Sequence, residues 1–174
     1  TGTIQSVAWA PDGTKFVTAS NDRAIGIWDP DGNQIRRVPN AHTNWITSVA
    51  WAPDGTKFVT GSYDGSIGIW DPDGNQLGRV TNAHTNYIRG VAWAPDGTKF
   101  VTVSNDRAIG IWDPDGRRIR RINNAHTDWI TSVAWASDGT KFVTCSFTSI
   151  GIWDPSGNQL GCVEDVHTDW IRGV

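Results

Sequence analysis

The chain has 174 residues, of which 38% are hydrophobic, and it carries 19 glycines, 11 tryptophans and a formal net charge of −3. A charge this close to neutral provides no basic surface of the kind that binds nucleic acid or an anionic membrane. No apolar run approaches the roughly 20 residues that span a bilayer. The composition therefore favours a folded, soluble chain built from strands.

The first predicted element is a hairpin, Ser6–Thr18, in which two apolar runs flank Pro11-Asp12-Gly13. Proline presets φ for a turn, aspartate caps the backbone and glycine accepts the positive φ at the end of the turn. Nearly the same text returns at Ser48–Thr60, Gly90–Thr102 and Ser132–Thr144. The sequence therefore predicts four similar β-hairpins.

Tryptophan positions give the length of the repeat. The spacing is 42 residues between successive members of the series Trp9, Trp51, Trp93 and Trp135. Because a period of this length indicates a repeat architecture, we divide the chain into blades that together form one propeller domain. The predicted units are blade 1 (residues 1–42), blade 2 (43–84), blade 3 (85–126), blade 4 (127–167) and the stub of a further inner strand (168–174).

Each blade contains the pattern of four short strands. In blade 2 the predicted strands are Trp45–Ala52, Lys57–Ser62, Ser66–Asp71 and Gln76–Val80. Alternating apolar residues and β-branched residues support them, and the Asp-Gly turns that join them leave no room for a helix. One four-stranded antiparallel sheet cannot bury both of its faces, whereas sheets placed side by side around an axis can. The predicted fold is therefore an all-β propeller with four blades per chain.

Particular residues of this repeat resemble the WD-repeat family of β-propellers. They are Trp70-Asp71, the Ser-x-Asp-Gly of Ser62–Gly65 and the histidine His84, and the resemblance covers the whole chain. In that family a histidine, a serine or threonine, an aspartate and a tryptophan form a hydrogen-bonded ladder within each blade. The resemblance implies a structural ladder of His42, Ser62, Asp64 and Trp70 in blade 2, and of His84, Ser104, Asp106 and Trp112 in blade 3. Such groups also satisfy one another's hydrogen-bonding needs.

The two end blades depart from this ladder. Blade 4 has His126, Ser146 and Trp153, but Phe147-Thr148-Ser149 replaces the Asp-Gly turn, so its predicted ladder lacks the acid. Blade 1 has Ser20, Asp22 and Trp28 without a preceding histidine, whereas His167 is followed by no blade. The extra histidine at the end of the chain therefore matches the histidine that is missing before blade 1.

This match predicts an assembly of two chains. Propellers of the WD-repeat family close mostly with seven or eight blades, so four blades should leave two exposed apolar faces. We expect two copies to form an eight-bladed homodimeric ring in which His167 of one chain completes the ladder of blade 1 in the other. Residues 1–7 and 168–174 then compete for the same inner strand. Two alternatives remain open: four blades that close alone, and an excised part of a longer array.

Binding is predicted where the blades differ from one another. In a four-stranded meander the Pro-Asp-Gly turns lie on one edge, and the loops before the first strand and after the second lie on the other edge, which we call the variable rim. Loops held by a rigid scaffold are common binding sites, and tryptophan, tyrosine and arginine are favoured interface anchors. The predicted partner-binding residues are Trp45, Thr47, Tyr63, Tyr87, Arg89, Asn105, Arg107, Trp129, Thr131, Phe147 and Trp170. Alternatively, the aromatic side chains only pack between blades.

A catalytic function is not predicted. His42, Ser62 and Asp64 have the residue types of a nucleophilic triad, but the same set recurs in the next blade beside a tryptophan, which favours a structural role. The sequence instead predicts a non-enzymatic scaffold that binds itself and another protein or peptide, without cofactor or metal. Two other functions remain open: a carbohydrate-binding propeller, and a purely architectural self-assembling module, natural or engineered, without a ligand.

The two cysteines indicate a cellular compartment. Cys145 and Cys162 lie in the same blade and have no counterparts in the other three. A disulfide framework or a metal site would be expected to recur with the repeat. We therefore predict two free thiols in a reducing compartment and a cytoplasmic location.

Overall fold

The computed structural model describes residues 2–164, 167 and 173, and it contains four antiparallel sheets of four strands each. Blade 1 contains β1 (Ile4–Trp9), β2 (Phe16–Ser20), β3 (Ile25–Trp28) and β4 (Gln34–Val38). Blade 2 contains β5 (Ile46–Trp51), β6 (Phe58–Ser62), β7 (Ile67–Trp70) and β8 (Gln76–Val80). Blade 3 contains β9 (Ile88–Trp93), β10 (Phe100–Ser104), β11 (Ile109–Trp112) and β12 (Arg118–Ile122). Blade 4 contains β13 (Ser132–Trp135), β14 (Phe142–Cys145), β15 (Ile150–Trp153) and β16 (Gln159–Val163).

Within every sheet each strand pairs with the next one along the chain. This confirms the predicted all-β meander with four blades per chain. Because the connections simply alternate between two edges, the variable rim and the Pro-Asp-Gly turns lie at opposite edges of each sheet. In the part of the chain that is described, no helix is long and apolar enough to cross a membrane.

The Pro-Asp-Gly turns have the geometry that their residues favour. Gly13 has a φ of 70°, and its N–H donates to the carbonyl of Ala10 at 2.9 Å. The backbone N–H and the hydroxyl of Thr14 both donate to the Asp12 carboxylate at 2.9 Å. A side-chain acceptor and a residue free to adopt positive φ are what this tight turn requires.

Apolar packing between neighbouring sheets holds the blades together. The second and third strands of blade 1, including Val17 and Ile27, pack against Ile46, Trp51 and Phe58 of blade 2. Equivalent buried clusters join blade 2 to blade 3 and blade 3 to blade 4. Full burial of each large apolar side chain contributes about 1.5–3 kcal/mol, so each junction makes a large contribution to the stability of the fold.

Blade 1 leaves its side of this junction uncovered. We call this surface the first flank, and it consists of Ile4, Val7 and Trp9, which are 59%, 59% and 54% exposed. The equivalent residues of blade 2 are Ile46, Val49 and Trp51, which are 0%, 5% and 8% exposed. The same sequence pattern is therefore core in one blade and surface in the other.

Blade 4 leaves the opposite side of the junction uncovered. We call this surface the last flank, and it contains Val143, Ile150 and Ile152, all partly exposed, whereas their blade 1 counterparts are buried. The described residues thus form an open series of blades with two apolar flanks, as the sequence predicts.

The competition for the inner strand of blade 1 has a definite outcome within one chain. Strand β1 pairs with β2, with Trp9 opposite Phe16, so the N-terminal segment is the inner strand of blade 1. The competing segment, residues 168–174, lies outside the described residues except for Gly173.

Candidate functional site

A hydrogen-bonded ladder runs through the interior of blade 2. Nε2 of His42 lies 2.8 Å from Oγ1 of Thr60, and the indole N–H of Trp70 donates to the same hydroxyl oxygen at 2.9 Å. On the other side of the imidazole, Nδ1 of His42 lies 3.1 Å from the Asp64 carboxylate. Blade 3 repeats this arrangement with His84, Thr102, Trp112 and Asp106.

The bridging hydroxyl corrects one sequence assignment, because it belongs to Thr60 and not to Ser62. Ser62 holds the following turn: its hydroxyl accepts the N–H of Asp64 at 3.1 Å and donates to the carbonyl of Asn44 at 3.3 Å. Positions 60 and 62 point to the same face of β6, so strand alternation alone does not distinguish them. The same replacement applies to Ser20, Ser104 and Ser146, for which Thr18, Thr102 and Thr144 contact the indole.

A glycine in the third strand is the sequence signal that identifies the bridging threonine. Thr60 lies directly opposite Gly68 in the pairing of β6 with β7. A Cβ atom at Gly68 would lie 2.5 Å from Nε1 of Trp70 and 2.7 Å from Oγ1 of Thr60. Only glycine therefore leaves room for the indole to cross its own strand and reach the hydroxyl. The Ile-Gly-Ile-Trp text, which all four blades contain, encodes this contact.

The charges of the ladder are fixed by burial and by hydrogen bonding. Burial lowers the pKa of His42, although Asp64 opposes this effect, so the imidazole is neutral at pH 7. Burial alone would raise the pKa of Asp64, but hydrogen bonds from His42 and Ser66 outweigh it and hold that pKa well below its usual range. We therefore assign Nδ1–H of His42 as the donor to Asp64, and Nε2 as the acceptor of the Thr60 hydroxyl proton.

An arginine of the outer strand contacts the ladder carboxylate from the side. In blade 3, Nη2 of Arg121 donates to Asp106 at 2.7 Å, and Nη1 donates to the carbonyl of Ala83 at 3.0 Å. Ala83 precedes His84, so this arginine links the carboxylate to the segment that carries the histidine. In blade 1, Arg37 donates to Asp22 at 3.0 Å.

The ladder of blade 4 lacks its acid, as the sequence predicts. Nδ1 of His126 contacts the hydroxyl of Ser149 at 2.9 Å instead of a carboxylate, and Ser146 contacts the same hydroxyl at 2.7 Å. With no carboxylate to oppose it, burial lowers the pKa of His126 to about 4. A hydroxyl has replaced the acid, and both ring nitrogens of His126 keep a hydrogen-bond partner.

The ladder of blade 1 has no imidazole among the described residues. Trp28 donates to Thr18 at 2.9 Å, and Asp22 pairs with Arg37, but a cleft of about 360 Å³ lies where the ring of His42 sits in blade 2. His167, the histidine predicted to fill this place in a second copy, is exposed.

At the variable rim, equivalent positions of the four blades line one cavity. The positions are Gln5, Thr47, Arg89 and Thr131, one from each blade at intervals of 42 residues. The cavity has a volume of about 440 Å³, and its remaining lining residues are Tyr63, Trp129 and Phe147. The structure thus places six of the predicted rim residues around one concavity, together with Gln5.

Aromatic side chains extend this cavity into a continuous strip. The ring of Tyr63 stacks on Trp45 at 5.5 Å and on Tyr87 at 4.1 Å between ring centroids, and Arg89 lies over Tyr63 at 4.8 Å. Arg89 also donates to the hydroxyl of Tyr63 and, at 2.8 Å, to the buried amide oxygen of Asn105. The rings therefore do pack between blades, which is one of the alternatives that the sequence leaves open.

This packing leaves aromatic surface accessible. Trp45, Tyr87 and Trp129 remain 45%, 40% and 42% exposed. Of the remaining predicted rim residues, Arg107 is exposed in a turn with a φ of 63° and contributes neither to the strip nor to the cavity. Trp170 lies outside the described residues. The aromatic strip and the cavity together form the candidate binding site.

The described segments also contain features that concern metal binding, the two thiols and the hydroxyls beside His42. Those segments contain no group of histidine, cysteine, aspartate or glutamate side chains arranged to hold a metal ion. Cys145 and Cys162 are both free thiols, and burial raises the pKa of Cys145. Two hydroxyls lie next to His42, those of Thr60 and Ser66, and these residues are 0% and 4% exposed.

Comparison with known proteins agrees with this architecture. The family model described as "WD domain, G-beta repeat" matches residues 1–29, 32–71, 75–113 and 116–165. No curated protein matches the chain. The four matches cover most of the sequence, and each includes the first three strands of one four-stranded sheet, so the chain belongs to the WD-repeat family.

Proposed function

We propose that this protein is a non-enzymatic, cytoplasmic scaffold that binds a partner protein or peptide at its variable rim. WD repeats generally mediate protein–protein interaction. The observation that carries the proposal is the cavity lined by one equivalent residue from each blade and bordered by half-exposed aromatic rings. Aromatic and arginine side chains concentrated around a concavity are typical of interface anchors.

The rim is also rigid before a partner arrives. Tyr63 is held between Trp45 and Tyr87, and the guanidinium of Arg89 is fixed by Tyr63 and Asn105. Ordering side chains at an interface normally costs about 0.5–1.5 kcal/mol for each flexible side chain. Here the rings already have fixed orientations, so this entropic cost is reduced.

The second part of the proposal is self-assembly, in which two chains form an eight-bladed ring. The first and last flanks expose the two halves of a junction that is buried three times within the chain. Covering Ile4, Val7 and Trp9 would contribute on the order of 3 kcal/mol per junction, because each is more than half exposed. A two-fold ring forms this junction twice, while the loss of translational and rotational freedom is incurred once.

A selection from a random-peptide display library tests the rim. Peptides enriched on the wild-type chain should lose at least tenfold in affinity for Tyr87→Ala and for Trp129→Ala when fluorescence anisotropy is measured. Both variants should retain the wild-type circular dichroism spectrum. Arg117→Ala, on the opposite edge, is the matched control because the side chain is exposed, and it should bind like wild type. Peptides that bind both rim variants as tightly as wild type would contradict the proposed site.

A further inference from the structure

We propose that the cleft of blade 1 is a binding site for an imidazole side chain, and that its occupant is His167 of a second copy of this chain. We call the cleft the blade 1 socket; Thr18, Asp22, Trp28 and Arg37 are among the residues that line it. This inference rests on the proposed two-chain ring and names the residue that joins the two copies.

The side chains that fill the same place in the other blades show what the blade 1 socket is shaped to hold. Buried imidazoles of His42, His84 and His126 occupy that place, each with Nε2 at 2.8 Å from the threonine hydroxyl. In blade 1 the corresponding volume is a cleft of about 360 Å³. The walls are therefore those of a histidine pocket, whereas the described residues of the chain supply no ring to it.

Blade 3 is an internal template for the occupied socket. The nine residues Ser20–Trp28 are identical to Ser104–Trp112. Thr18 accepts the indole N–H of Trp28 at 2.9 Å, as Thr102 accepts that of Trp112 at 2.8 Å. The hydroxyl proton of Thr18 is thereby directed to an acceptor other than the indole, and in blade 3 that acceptor is Nε2 of His84.

The carboxylate of the socket, Asp22, is held by the same kind of contacts as Asp106 in blade 3. Asp22 accepts the N–H of Ala24 at 3.1 Å and a guanidinium hydrogen of Arg37 at 3.0 Å. In blade 3, Asp106 accepts the N–H of Ala108 at 3.0 Å and a hydrogen of Arg121 at 2.7 Å, and its carboxylate oxygens lie 3.0 Å from Nδ1 of His84. Asp22 therefore presents the acceptor that a neutral imidazole requires at Nδ1.

Arg37 provides a further contact for an incoming segment. Its blade 3 counterpart, Arg121, uses Nη2 for the carboxylate and Nη1 for the carbonyl that precedes the ladder histidine. Arg37 uses Nη2 for Asp22, so its Nη1 is positioned to donate to the carbonyl that precedes an incoming histidine. The socket thus recognises a histidine together with its preceding peptide group.

The position of His167 makes it the matching occupant. It follows β16 of blade 4 as His42 follows β4 of blade 1, and it is exposed whereas the other three histidines are buried. In the internal junctions the histidine at this position enters the ladder of the next blade, as His42 does with Thr60 of blade 2. Docking of a second copy through this junction would bring His167 to the blade 1 socket.

A contact on the other edge of the same junction supports a second copy as the partner. Lys15, Lys57 and Lys99 each donate to a proline carbonyl of the next blade at 3.3 Å. Lys141 of blade 4 is exposed and has no next blade among the described residues, while Pro30 of blade 1 is exposed. Lys141 at one end of the chain therefore complements the turn at Pro30 at the other end, in the same way that His167 complements the blade 1 socket.

Sedimentation equilibrium of the full chain tests the assignment. Wild type should be a dimer, and His167→Ala and Thr18→Val should each raise the dimer dissociation constant roughly ten- to a hundredfold, because each leaves a buried polar group without its partner. The double variant should be no weaker than His167→Ala, since both changes remove the same contact. Cys162→Ser, an exposed change elsewhere in blade 4, is the control and should dimerise like wild type.

Free imidazole provides a second measurement on the same variants. In dimeric His167→Ala, millimolar imidazole should shift the NMR resonance of the Trp28 indole N–H and restore dimer affinity, and Thr18→Val should abolish both effects. A monomeric wild type would overturn the two-chain ring and this assignment together. A dimeric wild type whose affinity is unchanged by His167→Ala, or effects of the two variants that simply add, would overturn the histidine assignment and leave the ring intact.

Discussion

Replacing Thr60 by valine should lower the free energy of unfolding far more than the small change in side-chain volume would suggest. Valine preserves the volume of threonine but removes the hydroxyl that joins Nε2 of His42 and the indole N–H of Trp70, at 2.8 Å and 2.9 Å. Both partners are buried, so neither can form a replacement hydrogen bond with water. At about 1–3 kcal/mol for each of the two orphaned buried groups, Thr60→Val should lower the free energy of unfolding by about 2–6 kcal/mol.

Thr60→Ser is the matched comparison, because it keeps the hydroxyl and removes only a methyl group, which should cost about 1 kcal/mol. Urea unfolding followed by circular dichroism measures both values. In a Trp70→Phe background one of the two orphaned groups is already absent, so Thr60→Val should then cost less. If Thr60→Ser destabilises the protein as much as Thr60→Val, volume rather than hydrogen bonding determines the effect and the ladder argument fails.

Three further perturbations test other parts of the structure. Gly68→Ala should cost about 2–4 kcal/mol in the same urea assay, since its methyl would lie 2.5 Å from an indole nitrogen, whereas Gly78→Ala meets nothing within 3.5 Å and should change stability by less than about 0.5 kcal/mol. Burial lowers the pKa of His126 to about 4, so the folded state binds fewer protons there than the unfolded state. The free energy of unfolding should therefore fall by up to about 1.4 kcal/mol per pH unit as the pH is lowered from 6.5 to 4. Urea unfolding across this range should show a shallower pH dependence for His126→Gln, and an unchanged slope would contradict a neutral buried imidazole. Trp9→Gln, on the first flank, should weaken the proposed dimer in sedimentation equilibrium without unfolding the chain, because this ring is 54% exposed in the single copy. Equal dimer affinity for this variant and wild type would exclude the first flank from the interface.

The repeat made the architecture predictable, because each blade contains the same sequence signals for turns and strands. The strand predicted at Trp45–Ala52 is β5 (Ile46–Trp51), and the one predicted at Gln76–Val80 coincides with β8. These elements follow from local rules of turn chemistry and alternation, which act within a few residues. The order of strands in the sheet then follows from the short connections.

The site was only partly predictable, because it depends on contacts between strands. Alternation places Thr60 and Ser62 on the same face, and the choice between them requires the cross-strand register that sets Thr60 opposite Gly68. In blade 4, the sequence indicates that the acid is missing but not that the Ser149 hydroxyl replaces it. The stacking of Tyr63 on Tyr87 joins two blades and depends on their relative placement, which no local pattern specifies.

The uncovered flanks have a consequence for how such a chain changes over evolutionary time. Since the same chemical surfaces meet at every internal boundary, gaining or losing one whole unit leaves each remaining boundary intact. Only the number of blades in the series changes. The number of units in such a series can therefore change without altering the contacts inside any junction that remains, and the area of the uncovered ends stays the same.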